Sequence, residues 1–485
     1  MIDQHHDLDG RVNLGGRGPT GIRAYPLIAW LVIVALTTTV MLMHVLGSDA
    51  QSATEVAEQN VMDRLEGEAA LGMYQLQGAS AAAPTVSKFE RGSMAQRLRG
   101  VVLKGVMWDA SEARGQLLQI EAQAEEAEYA PSPSELETMR LLQQLYSDPE
   151  SEGHVTLTAA EESELIEQLG WFGRVAIAYA SNDSDERAGV LQPAKRIAFI
   201  LMLLAFAGIG AFVLGLILLV LFITFACMRR IGRHFGPAAS TDGLLAEAFA
   251  LWLLCFLGLH VLLDAIVPSM PQLEPHLLGV TGVLHCVTAI VVLWPVLRGV
   301  SWSAVRRSIG WTCGVGAWKE IVVGVCGWFM TLPLLGIGVL IMLLLMAITS
   351  SQAAGTGFEP VSQPVHPIIT AVADGHVWTI LQVYFVAALV APFLEETVFR
   401  GLLYRQLRSA STAWPIAISI IVSTLIVSVV FAALHPQGVL AIPALAALAT
   451  GMTLLREWRG SLLASMVMHA CNNGLMITLM LLLFT

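Results

Sequence analysis

Three short runs near the C-terminus hold the side chains best suited to acid–base chemistry: Glu395-Glu396-Thr-Val-Phe-Arg400, Phe431-Ala-Ala-Leu-His435 and His469-Ala-Cys-Asn472-Asn473. Each lies within or beside an apolar stretch, where an ionisable group is costly and marks a function by default. On a helix, Glu396 and Arg400 are four apart and share one stripe, the spacing of an ion pair. Glu395 is turned by about 100° onto a neighbouring stripe. Glu396 is therefore the expected structural partner of Arg400, which leaves Glu395 to act as a base. His469 and Asn473 are also four apart, so imidazole and amide can point at one substrate carbonyl. The set suits peptide-bond hydrolysis, with water activated by Glu395 and His435 and the developing oxyanion held by His469 and Asn473. No covalent nucleophile is required, and the sequence has no GxSxG, HExxH or P-loop pattern. Glu395, His435 and His469 could alternatively hold a divalent metal such as zinc, and the residues alone leave both mechanisms open.

The elements that must position these groups follow from composition. The chain has 485 residues, 55% hydrophobic and 13% charged, with a mean hydropathy of +0.66. Soluble chains carry roughly 25% charged residues, so disorder and an ordinary soluble enzyme are excluded. An all-α polytopic membrane protein is expected. About 20 apolar residues cross the hydrocarbon, and nine windows qualify: 25–46, 197–228, 245–267, 277–297, 321–348, 377–397, 414–434, 439–455 and 461–484. The eighth is short enough to suggest a partly re-entrant segment.

Lys and Arg cluster in alternate connections, as expected when cytoplasmic loops are positive. Arg11, Arg17 and Arg23 precede the first span, and Arg229, Arg230 and Arg233 follow the second. Arg298, Arg306, Arg307 and Lys319 separate the fourth from the fifth. Arg400, Arg405 and Arg408 follow the sixth, and Arg456 and Arg459 the eighth, whereas 349–376 has none. The reading is an integral protein of a bacterial plasma membrane with its N-terminus in the cytoplasm. Small residues at Gly47, Ser48 and Ala50 would suit cleavage of a signal peptide, but the first apolar run is long for one and reads as an anchor.

Charge is uneven. Asp49 to Arg187 holds 25 acidic and 10 basic residues, against 13 and 17 in the remainder. This Glu-, Gln- and Ala-rich stretch is expected to be a small helical extracytoplasmic insert. Thr158-Ala-Ala-Glu161 reads as a capping box opening a helix through Leu169, with Pro131, Pro133 and Pro149 punctuating the helices before it. The divisions expected are a cytoplasmic tail (1–24), an anchor (25–46), the acidic insert (47–196), spans with basic loops (197–319) and a catalytic domain (320–485). All six cysteines lie in or beside apolar stretches, so the insert has no disulfide framework. No basic run with interleaved aromatics points to nucleic acid.

Taken in order, EExxxR, FxxxH and HxxxN resemble the motifs of the CPBP intramembrane protease family, to which the type II CAAX prenyl endopeptidases and many bacterial proteins belong. The resemblance covers about 370–485. It implies an intramembrane endopeptidase core, historically described as a metalloprotease. In it Glu395 is the general base, Glu396 and Arg400 support it, His435 assists the water, and His469 with Asn473 forms the oxyanion site. The implied partners are the lipid bilayer and a peptide or protein substrate, lipidated tails included. The acidic insert departs from the family pattern.

Two rival readings remain. A non-proteolytic immunity or scaffold protein could keep the same fold, and His260 with Asp264, four apart in the third span, could serve ion-coupled transport. Depth sets a geometric demand on the enzyme reading. Rising about 1.5 Å per residue from turns near 410 and 460, Glu395 would lie roughly 22 Å deep, His435 about 37 Å and His469 about 13 Å. Straight helices would separate them, and Pro392, Pro415 and Pro436 are the expected points of distortion.

Overall fold

The structure, a computed structural model, describes residues 25–46, 53–147, 157–181, 184–236, 243–353, 357–358, 368–373 and 375–484. The expectations placed on Arg11, Arg17, Arg23, Gly47, Ser48, Ala50 and Pro149 lie outside the described residues. Helices account for nearly all the regular structure, and the described residues form no strand. Helix α1 (Pro26–Leu46) leads into a group of short helices: α2 (Ala53–Gln77), α3 (Ala79–Val86), α4 (Met94–Met107), α5 (Ala110–Glu126), α6 (Pro133–Leu145), α7 (Ala159–Leu169) and α8 (Trp171–Ala180). Then come α9 (Ser184–Cys227), α10 (Leu244–Ile266), α11 (Leu277–Val287), α12 (Trp294–Leu297), α13 (Trp302–Ile309) and α14 (Ala317–Ala353). The C-terminal part comprises α15 (Ile368–Ala373), α16 (Val377–Phe385), α17 (Ala391–Glu395), α18 (Tyr404–Ala410), α19 (Ile416–Ala433), α20 (Ile442–Arg459) and α21 (Leu463–Phe484).

Nine stretches of the described residues are long and apolar enough to cross a membrane, in the places the hydropathy predicts. Most of their side chains face outward, with no more than 44% of any window buried. That is the expected arrangement where lipid, and not protein, covers the apolar surface. The eighth stretch is helical throughout, with α20 preceded by one short 3-10 turn. The sixth runs further than expected. Helices α16, α17 and α18 join through π-helical turns at Val386–Val390 and Glu396–Leu403 into one rod from Val377 to Ala410. Arg400 is thus a fully buried residue inside the span and no loop cation. Arg405 is also buried, within the same rod.

The insert has its own apolar core, built around Leu98, Val102, Leu117, Leu142, Leu165 and Phe172. Local chemistry sets its helix starts. Thr158 caps α7 with both capping-box bonds to Glu161 in place, and Ser132 does the same for α6 with Glu135, Pro133 taking the first helical position. No break separates insert from membrane along α9, which runs through 196–197 as one 44-residue helix. Helix α2 lies directly on its N-terminal part. A Cβ at Gly72 would stand 2.1 Å from the Ala194 carbonyl oxygen, so only glycine lets the two backbones meet there.

The arginine-bearing connections gather at one end of the bundle. His234 N–H donates to Trp458 O, Leu462 N–H to Gly310 O, and the Arg405 guanidinium to Gly236 O. Arg459 forms a two-bond pair with buried Glu320. At the other end, Arg97 of the insert donates to Gly357 O, and Phe358 is sandwiched between Arg97 and the Tyr129 ring.

Within the bundle, α14 packs on α9, α20 and α21, and small residues set the approach. At Gly338 a Cβ would lie 2.5 Å from Pro443 O of the turn that opens α20. That obstacle is backbone and cannot rotate away. Gly338→Ala should therefore lower the thermal midpoint in detergent, an overpacking cost of roughly 1–3 kcal/mol. Gly258→Ala in α10, where no atom lies within 4 Å of the added Cβ, should leave the midpoint unchanged or slightly raised.

Candidate active site

The rod α16–α18 carries two carboxylates at the junction of an α-helical and a π-helical stretch. Glu396 is fully buried, and its Oε1 accepts from Arg400 Nη1 at 2.9 Å and from His469 Nδ1 at 3.1 Å. Arg400 spends its other donors on α20: Nη2 reaches Ala449 O at 3.1 Å and Nε reaches Thr453 Oγ1 at 3.3 Å. The Phe431 ring of α19 lies 4.6 Å from the guanidinium, and the Phe399 ring meets Phe431 edge-on. One buried ion pair therefore ties the rod to α19, α20 and α21.

Glu395 points elsewhere. Its side chain is 23% exposed, and Oε2 lies 3.8 Å from His435 Nε2 and 3.8 Å from His469 Nε2. Oε2 itself is buried and has no hydrogen-bond partner among the described residues. A polar separation above about 3.5 Å is the distance at which a bridging water fits.

The partners of the two imidazoles fix their tautomers. His435 Nδ1 lies 2.7 Å from Phe431 O, and a carbonyl can only accept, so the proton sits on Nδ1. His469 Nδ1 faces the arginine-paired carboxylate of Glu396, so it donates there as well. A ring that carries only its Nδ1 proton turns an Nε2 lone pair toward Glu395. That is an arrangement for orienting a water hydrogen, and one in which the second nitrogen is held from behind as in metal-bound histidines.

Asn473 is placed differently. Its Nδ2 donates to Ala387 O at 2.8 Å, inside the first π-helical stretch, and its Oδ1 accepts from Asn472. The residue lies one turn along α21 from His469, and no hydrogen bond joins it to the carboxylate–imidazole cluster. The structure thus brings Glu395, Glu396, Arg400, His435 and His469 together and leaves Asn473 at the cluster's margin.

The depth demand is met by how the chain bends. Helix α19 stops at Ala433, so His435 sits in the following turn and folds its ring back toward Phe431. Helix α19 also begins only at Ile416, six residues after the rod ends at Ala410, which takes roughly 9 Å from the depth counted for His435. Pro415 precedes α19 and Pro436 follows His435, outside both helices, while Pro392 lies within α17 near the π-helical turns.

Thr453, the Ala449 carbonyl and Phe399 belong to the site, yet no charge or spacing in the sequence marks them. The same holds for Trp311, whose Nε1 donates to Thr397 Oγ1 beside Glu396. Away from the site, His260 Nε2 lies 3.3 Å from His285 Nε2, and Phe256 packs on both rings. His260 thus meets a second imidazole, and both His260 and Asp264 are exposed on α10.

Residues 377–475 match the family described as Rce1-like, type II CAAX prenyl endopeptidase. The matched segment, about a fifth of the chain, contains all three motifs and the whole cluster around Glu395. The chain therefore carries an Rce1-like domain at its C-terminal end and is related there to the CAAX protease family, generally a family of proteases. No curated protein and no solved structure matches the chain.

The ion pair gives a direct test of what holds the cluster. Arg400→Met leaves Glu396 charged and buried with one partner fewer, which should destabilise the protein by about 3–5 kcal/mol. Adding Glu396→Leu to that variant should recover much of the loss. Denaturant unfolding in detergent, followed by tryptophan fluorescence, reads both. A single variant as stable as the parent would remove the ion pair from its structural role.

Proposed function

We propose that this chain is an intramembrane endopeptidase that hydrolyses a peptide bond of a membrane-associated peptide or protein. The observation that carries the reading is the convergence of Glu395 Oε2 with two imidazole Nε2 atoms, each at 3.8 Å. A water in that gap can give one hydrogen to Glu395 and a second to an imidazole lone pair. Its oxygen is then presented to a substrate carbonyl. Glu395 takes the proton as the carbon–oxygen bond forms and passes it to the departing amine as the carbon–nitrogen bond breaks. With a proton taken up from solvent on Nε2 before the attack and returned after it, His469 donates to the oxyanion, and Glu396 at its other nitrogen balances the charge. Asn473 keeps one amide hydrogen beyond the one given to Ala387 and completes the oxyanion side from the next turn.

The same donor set suits a divalent metal in chemistry, with two imidazole lone pairs and one carboxylate oxygen facing one point. Zinc bonded at about 2.0–2.1 Å in a tetrahedron sets its ligands about 3.4 Å apart, so each imidazole would have to approach Glu395 by a few tenths of an ångström from 3.8 Å. Among the described residues no three His, Cys, Asp or Glu groups already stand at metal-holding distances. If zinc binds, Glu395, His435 and His469 would hold it, and it would supply Lewis-acid polarisation of the carbonyl or the water.

CAAX prenyl endopeptidase is the activity named for the matched family, and CAAX-type processing is the substrate class that likeness favours. The gathering of arginine-rich connections at one end favours a cytoplasmic N-terminus and an insert on the far side of the membrane. The many bacterial members of the family it resembles favour a bacterial plasma membrane.

Incubation of the detergent-purified protein with a peptide library, prenylated peptides included, tests the assignment. Glu395→Gln should reduce cleavage at least about 100-fold with the thermal midpoint unchanged. Cleavage that survives chelation but is lost in the variant supports activation without metal. Cleavage lost on chelation and restored by zinc supports the metal form. Undiminished cleavage by Glu395→Gln would overturn the reading.

A further inference from the structure

At the arginine-rich end of the bundle, away from the carboxylate–imidazole cluster, a cavity of about 290 Å³ opens beside α18 and α19. Arg233, Arg405 and Arg408 line it together with Ser411, Thr412 and Trp414. Its back wall is Phe235, whose ring has the guanidiniums of Arg405, Arg456 and Arg408 at 4.7, 4.9 and 5.9 Å from its centre. Three guanidiniums therefore crowd one aromatic residue, and Arg233 adds a fourth to the same cavity. Glu457 pairs with two of these cations, Arg233 at 2.7 Å and Arg408 at 3.3 Å. Arg456 is 1% exposed, and its Nε and Nη1 have no hydrogen-bond partner among the described residues.

Positive charge concentrated in a poorly solvated place needs an anion, because the ring quadrupole of one phenylalanine offsets only a small part of the repulsion. The surroundings indicate which kind. Trp414 and Ile416, both half-exposed, stand at the mouth, where an aromatic residue marks a membrane–water boundary. Within the first turn of α19, exposed Ile418 begins an apolar stripe that continues through exposed Ile421, Leu425 and Val429 into the span. A charged cavity at a helix end that continues into an apolar track fits a phosphate joined to acyl chains. Basic pockets between spans are suited to anionic headgroups.

We propose that this cavity is a binding site for the phosphate of an anionic phospholipid, with an acyl chain laid along α19. The site is separate from the proposed hydrolytic centre and does not depend on its activity. Arg405 and Arg408 lie on the last turns of the rod that bears Glu395, so the bound lipid would clasp the end of that rod against Arg233 and the α19 entry.

The test uses the full chain in a neutral detergent, with phosphatidylglycerol, phosphatidylcholine or inorganic phosphate added. Phosphatidylglycerol should raise the thermal midpoint and be retained in native mass spectra, and phosphatidylcholine should do neither. Arg233→Gln, at a side chain 40% exposed, should weaken retention roughly fivefold, the effect of about 1 kcal/mol per basic group near a lipid phosphate. Arg408→Gln should do likewise, and raising the salt to 0.5 M should diminish the effect in the parent. Inorganic phosphate reproducing the full thermal shift would overturn the lipid assignment in favour of a free anion. A shift obtained only with peptides bearing a free C-terminal carboxylate would overturn it in favour of a peptide. Equal retention of the two lipids, or retention unaltered in both arginine variants, would overturn the site itself.

Discussion

The buried carboxylate of Glu396 is the constraint on which the C-terminal bundle depends. A charge with no exposure to solvent must be met by donors held in fixed places. Arg400 supplies one and His469 the other. Arg400 in turn needs acceptors, which α20 provides at Ala449 and Thr453. Satisfying one ion therefore fixes the relative positions of the rod, α20 and α21. It also decides the tautomer of His469, because the nitrogen that faces Glu396 has to donate. The lone pair turned toward Glu395 is a consequence of that bond, so the supporting carboxylate and the reactive one are set up by the same arrangement.

The π-helical turns have a part in this. They interrupt the regular ladder on both sides of α17, where the two carboxylates sit. Such turns are rare and frequent at functional sites. One of them presents the Ala387 carbonyl to Asn473. The other places Arg400 where it can reach both Glu396 and α20. Close packing keeps the distortion in place: Gly282 of α11 faces Val386 so closely that a Cβ there would lie 2.5 Å from the valine side chain.

The spans, the capping box at Thr158 and the Glu396–Arg400 pair were all legible in the sequence, for one reason. Hydropathy, capping and four-residue spacing are local properties, and each reads within a single helix. The ends of elements were less legible. Arg400, Arg405 and Arg408 looked like the basic loop after a 21-residue span because charge usually ends a hydrophobic stretch. Here partners from α20 cover Arg400, the rod runs on to Ala410, and no pattern along the rod announces that. His435 counts as too deep when its helix is started at the turn near 410. The helix starts six residues later, at Ile416, and the ring turns back onto Phe431. Partners contributed by distant carbonyls, such as Phe431 O for His435, leave no trace in residue type at all.

The insert shows how a segment without catalytic side chains can still bear on the site's scaffold. The connection 349–376 leads into the rod that carries Glu395 and holds no cation of its own. Its Phe358 is nevertheless buried in the insert's core, with the Arg97 guanidinium 4.0 Å from its ring centre and Tyr129 stacked on it at 4.5 Å. Arg97 also donates to the neighbouring Gly357 carbonyl. The insert thus encloses an aromatic residue from a connection more than 200 residues away in sequence. Because α9 carries the insert's last helical turns straight into the second span, and Phe358 returns the chain to that same insert, two attachments well separated in sequence hold it against the bundle.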